Sequence, residues 1–89
     1  MSRTLFYLQV FEKRFKKFIR FHPDLEKDIR KVLTLLSQDI SSSALKTHKL
    51  HGKLKDSYSC NINYQYRIVF SYDKNYVYLE SIGSHDDVY

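Results

Sequence analysis

Two hydrophobic periods divide the chain. From Thr4, "TLFYLQVF" sets Phe6, Leu8 and Val10 against Leu5, Tyr7 and Gln9, which predicts a first strand. Phe11, Phe15, Phe18 and Ile19 then recur at helical spacing with Lys and Arg opposite them. "HPD" stops this helix and starts the next: Pro23 disfavours helical geometry at His22, and Asp24 suits a first turn. Leu25, Ile29, Val32, Leu33 and Leu36 form a second apolar stripe, and "SQDISSSALK" ends it as the one linker-like passage.

After "KLHGKLKD" the period becomes two. Tyr58, Cys60, Ile62 and Tyr64 share one face, and Ser59, Asn61 and Asn63 the other. "YRIVFSY" is a further strand, with Arg67, Val69 and Ser71 on one face. "DKN" is a turn. In the last strand Tyr76, Tyr78 and Ile82 alternate with Val77, Leu79 and Ser81. The expected order is β-α-α-β-β-β, an α+β fold in which a two-helix hairpin packs on a small, mostly antiparallel four-stranded sheet, its last three strands a meander.

Composition narrows the class. The 89 residues suffice for one domain, 1–89, and 43% hydrophobic and 16% aromatic content is globular, not disordered. The single cysteine, Cys60, permits no internal disulfide and suits a reducing cytoplasm. No apolar run approaches the roughly 20 residues that span a bilayer, and "LFYLQVF" is too short for the core of a signal peptide.

Charge adds the first functional clue. Residues 1–56 hold thirteen Lys and Arg against six Asp and Glu; residues 57–89 hold two against four, giving +5 overall. The excess lies in "KRFKKFIR" and "KTHKLHGKLK", and basic stretches interleaved with aromatics suit a nucleic-acid binder. For Lys13, Lys16, Lys17 and Arg20 the plainer reading is a solvated helix face, and the alternative is phosphate contact from the first helix. Arg67 is the lone arginine of the C-terminal half, set mid-strand in an apolar run. Burial there is costly unless something binds the guanidinium, whose planar fork suits phosphate. Along with His48 and His51 the chain carries His85, which titrates in the range useful for proton transfer. A zinc site from these and Cys60 lacks the tight paired spacing of structural zinc motifs, so no metal and no cofactor is expected. Alternation puts Cys60 on the core face, as a small hydrophobe and not a nucleophile.

Three segments, in order, carry a resemblance: the "LxGxxK" lead-in of Leu50, Gly52 and Lys55; the "YRIVF" strand; and the "GSHDDVY" finish. With the element order, the chain resembles the RelE/ParE superfamily of bacterial type II toxins, nearest the mRNA-interferase branch of RelE, YoeB and YafQ. The resemblance spans nearly the whole chain. It implies ribosome-dependent endoribonuclease action on mRNA in the decoding site, in which a ribose 2′-hydroxyl attacks its own 3′-phosphate and the 5′-oxygen leaves. Such chemistry needs a proton acceptor, a proton donor and positive charge on the phosphorane.

The resemblance implies that Arg67 clamps the scissile phosphate and that His85 is a general acid or base. His48 stands where some relatives carry a histidine or glutamate acting on the proton; His51, three residues on, reads as a surface residue. Tyr89 has two readings, packing on the sheet and stacking on an mRNA base. Lys46, Lys49, Lys53 and Lys55 are expected to touch phosphates of messenger or ribosomal RNA and supply salt-dependent affinity. Asn61 and Gln65 replace a histidine and an aspartate of the YafQ-like pattern. They orient groups but shuttle no protons, which leaves that work to His48 and His85. Val88 is expected to anchor the tail.

The implied partners are the ribosome with its mRNA, a small acidic antitoxin protein, and operator DNA reached through that antitoxin. The alternatives are a ParE-like inhibitor of DNA gyrase and a non-catalytic basic RNA-binding domain.

Overall fold

In the computed structural model, which describes residues 2–50 and 56–84, the first strand is shorter than its alternation suggests. Strand β1 (Thr4–Tyr7) ends before Leu8, and helix α1 spans Gln9–Phe21, so Gln9 and Val10 are helical. The reason lies in Phe11. It is fully buried at the head of the Phe11–Phe15–Phe18 stripe, and burying it needs the preceding residues wound into the first turn. Leu8, still extended, donates its N–H to the Leu79 carbonyl and accepts that of Glu12.

His22 breaks the helical run as the sequence predicts. Its N–H closes on Phe18 O at 2.8 Å, and a short 3₁₀ turn (Pro23–Leu25) leads into helix α2 (Glu26–Gln38). The α2 stripe buries Ile29, Leu33 and Leu36. Beyond α2 a turn puts Lys46 at a φ of 50°, and Leu45 goes into the core.

The sheet has five strands among the described residues, not four, in the order β1-β5-β4-β3-β2. The added strand is β2 (His48–Lys49), two residues paired antiparallel with β3 (Tyr58–Asn61). Strands β4 (Tyr66–Tyr72) and β5 (Tyr76–Ser84) complete the meander, and β1 lies parallel to β5. The expected α+β class and mostly antiparallel sheet hold.

One face of this sheet packs against the helices. Cys60, Ile68, Phe70, Val77 and Leu79 are completely buried there with Phe11, Ile29 and Leu36. Ile82 joins them, although simple alternation sets it with Tyr76 and Tyr78. The register shift explains it: Phe70 faces Leu79, but Val69 faces Ser81, so Glu80 is an extra residue on β5. This bulge turns Ile82 inward and re-aims the strand from Ser81 onward. Phe18 and Tyr66 meet edge to face, with centroids 5.0 Å apart, fixing α1 against the first residue of β4.

Register places His48, Ser59, Asn61, Arg67, Val69 and Gly83 on the other face, away from the helices. Leu50 covers Val69, and both are buried. The polar members of that row are the candidate site.

Candidate functional site

The site begins with a turn. Asn63 Oδ1 accepts the backbone N–H groups of Gln65 and Tyr66, at 2.9 and 2.8 Å, and fixes the chain as it enters β4. Arg67 follows directly. It is half-buried on the uncovered face, its Nη1 donates to Asn61 Oδ1 at 2.7 Å, and its Nε is buried with no hydrogen-bond partner among the described residues. Asn61 is neutral, and between described residues the one ion pair is Arg30–Glu26 on α2. Within that set the Arg67 charge is therefore oriented by a neighbour but not neutralised by one. An uncompensated, half-desolvated guanidinium is what an incoming phosphate would complete.

His48 sits on the neighbouring strands' side of the same face. Its Nδ1 lies 3.1 Å from the Lys46 carbonyl and its Nε2 3.1 Å from Ser59 Oγ. A carbonyl only accepts, so Nδ1 carries the proton in that bond and Nε2 presents its lone pair, accepting from the Ser59 hydroxyl. The left-handed turn at Lys46 sets the carbonyl that fixes this tautomer. Ser59 is fully buried and pairs in register with both His48 and Val69. Two strand spacings, about 10 Å, separate the backbones of β2 and β4. Extended side chains from the two strands can meet on one ribose phosphate between them.

The structure thus brings Arg67, Asn61 and His48 to one face. Lys46 and Lys49 are exposed, but Lys49 pairs in register with Tyr58, so alternation turns it to the opposite face from His48, and Lys46 lines a hollow with Tyr58 and Tyr72. Gln65 is exposed, and it joins the site through its backbone N–H, held by Asn63. His51, Gly52, Lys53, Lys55, His85, Val88 and Tyr89 lie outside the described residues.

Sequence reasoning misses Ser59, Asn63, Arg14 and the pair Ser57–Glu80, in which Ser57 Oγ donates to Glu80 Oε1 at 2.7 Å. Arg14 reaches from α1 to Ser81 Oγ at 3.0 Å. Ser59 could be found in part, because it alternates with Cys60. Its pairing with His48 could not, since a two-residue strand carries no periodic signal.

Cys60 is completely buried on the opposite face, and burial pushes its thiol up to about 12, with the backbone bond to Ile68 pulling the other way. A thiol held so far from ionisation is no nucleophile at neutral pH. Among the described residues no three His, Cys, Asp or Glu side chains group to hold a metal ion, and no helix is long and apolar enough to cross a membrane.

The fold has close counterparts. YafQ from E. coli strain BL21(DE3) superposes with a TM-score of 0.84 at 18% identity, over 99% of each chain. YafQ in the E. coli DinJ–YafQ toxin–antitoxin complex gives 0.83 at 19% identity, over 100% of this chain and 99% of that one. A metal-bound toxin from Helicobacter pylori gives 0.81 at 28% identity, over the whole of both chains. No curated protein matches the sequence significantly. The family model for YafQ, bacterial toxin of type II toxin–antitoxin systems, matches residues 3–89, so nearly the whole chain is covered, and the chain belongs to that family of toxins.

Proposed function

We propose that this toxin is a ribosome-dependent endoribonuclease that cuts mRNA in the decoding site by attack of a 2′-hydroxyl on the adjacent 3′-phosphate. The observation that carries the reading is Arg67, a guanidinium with no ion-pair partner among the described residues, set on the sheet face that the helices leave open and aimed by neutral Asn61.

In this reading Arg67 holds the scissile phosphate and stabilises charge as the phosphorane forms. His48 takes the 2′-proton at Nε2, the Ser59 bond giving way to one from the ribose, while Lys46 O holds the ring. His85 gives a proton to the departing 5′-oxygen. Tyr89 stacks on a base. Lys46, Lys49, Lys53 and Lys55 supply phosphate contacts, and the ribosome holds the message in line for attack. The chain acts as a single domain in the cytoplasm. An acidic antitoxin silences it, as DinJ pairs with YafQ, and carries the complex to operator DNA. The net charge of +5 suits both the ribosome and such a partner.

Primer extension on a reporter message in a translating bacterial extract tests this. Wild-type toxin should give codon-phased cuts that disappear when initiation is blocked and when Arg67→Ala, folded by circular dichroism, replaces it. An intact message with wild type would overturn the nuclease reading and favour gyrase, tested by DNA supercoiling.

A further inference from the structure

Strand β5 is covered on its outer side only in its first half. β1 pairs with Tyr76–Leu79, and from Glu80 to Ser84 no strand lies on that side among the described residues. Helix α1 runs past this open edge instead. Between them is a cavity of about 480 Å³, walled by Arg14, Lys17, Phe21 and His22 from the helix side and by Gly83 from β5.

Gly83 lies between this cavity and the candidate site. It is the register partner of Arg67, so one strand spacing, about 5 Å, separates the two backbones. With no side chain at Gly83, nothing on that residue walls the cavity off from the guanidinium. Arg14 is fixed at the cavity's edge by its bond to Ser81 Oγ. Neither Arg14 nor Lys17 is in an ion pair among the described residues. Phe21 is 67% exposed and lines the cavity, so its ring is open to stacking. The His22 ring is steadied by Phe18 and by Tyr66, at 4.5 and 4.9 Å, and Tyr66 directly precedes Arg67.

Two cations and an exposed aromatic ring, one strand away from Arg67, match one chemistry. We propose that this edge cavity is a second RNA subsite, which takes the nucleotide next to the scissile phosphate: Arg14 and Lys17 bind its phosphate and Phe21 stacks on its base. The inference rests on the reading of Arg67 as a phosphate clamp. The helix stripe that buries Phe11 and Phe18 thus presents its basic flank to the substrate, and the cations of α1 do more than solvate it.

Fluorescence anisotropy with a labelled, 2′-O-methylated hexaribonucleotide, which cannot be cut, tests the subsite apart from the chemistry. Arg14→Gln with Lys17→Gln should lower affinity about tenfold and flatten the slope of log affinity against log salt by about 0.7, the value for one lost single-strand phosphate contact. Phe21→Ala should lower affinity and leave that slope unchanged. Lys27→Gln with Lys31→Gln, on α2, is the control and should alter both quantities far less. Equal effects of the two lysine-containing pairs would overturn the proposal, reducing Arg14 and Lys17 to bulk charge. So would a wild-type chain that does not bind the hexamer. Unchanged hexamer affinity with lost binding of a polyglutamate peptide would overturn it too, and would assign the edge to an acidic protein segment. Failure of the Arg67 clamp reading shows separately, as cleavage that survives Arg67→Ala.

Discussion

Arg67 and Asn61 face each other across the last register pair of β3 and β4, and Nη1 of the arginine donates to the amide oxygen at 2.7 Å. A carboxylate in the same place would hold the guanidinium as firmly but would also neutralise it. The amide orients without neutralising.

Asn61→Asp should therefore keep the fold and weaken the toxin. The new ion pair competes with the phosphate for Arg67, and single-turnover cleavage on programmed ribosomes should fall about tenfold or more, a difference of about 1.4 kcal/mol. Asn61→Ala should fall by a similar amount, through loss of orientation. Cleavage by Asn61→Asp that equals wild type would show that Arg67 does not need its charge uncompensated.

His48 is held at both ring nitrogens, by Lys46 O and Ser59 Oγ. Ser59→Ala removes one restraint and leaves the ring. It should lower the cleavage rate several-fold without altering ribosome affinity. His48→Gln should change the pH profile of the rate, whereas a profile unchanged in shape would take His48 out of proton transfer.

Cys60 offers a check on the core. Burial holds its thiol near 12, so an aromatic disulfide reagent at pH 8 should leave it unmodified in the native protein and modify it fully in denaturant. Cys60→Ser would place a hydroxyl in this dry position and should cost about 1–3 kcal/mol in a urea titration, more if the hydroxyl finds no acceptor.

The β4–β5 turn carries its own pH signature. Asp73 accepts the Tyr78 hydroxyl at 2.7 Å and the N–H groups of Asn75 and Tyr76. These bonds hold its carboxyl below the ordinary 3.8, the Tyr78 hydroxyl first among the causes, and the same bond raises Tyr78 above 10.0. A lowered carboxyl stabilises the turn above pH 3.8, and its contribution is lost as pH falls through the folded value. A raised phenol contributes below pH 10.0 and is lost as pH rises through its own folded value. Carbon-detected titration of the Asp73 carboxyl should show a midpoint below 3.8, returning toward it in Tyr78→Phe.

Much of this architecture is legible from period alone. Phe11, Phe15 and Phe18 mark α1, Ile29, Leu33 and Leu36 mark α2, and Cys60, Ile68 and Phe70 mark buried strand faces, because each stripe is long enough for one spacing to dominate. The misreadings have local causes. Alternation carries the first strand to Val10 because it continues by chance into a helix whose start is set by burial of Phe11. It puts Ile82 on the wrong face because a bulge at Glu80 cannot be seen in one strand's sequence. In the site, Arg67 stands out as a cation in an apolar run. The His48–Ser59 bond and the approach of Arg14 to Ser81 depend on register and on packing across 11 and 67 residues, which no local pattern encodes.

If a ribose 2′-hydroxyl makes the cut under the Arg67 clamp, removing that hydroxyl must stop it. The most direct measurement uses ribosomes programmed with two messages, identical except for a single 2′-deoxy substitution at the nucleotide 5′ of the cut. The toxin should cleave the all-ribose message, leave a 2′,3′-cyclic phosphate, and spare the deoxy message at that position. Equal cleavage of both at the same bond would contradict the account, since the nucleophile would then come from elsewhere.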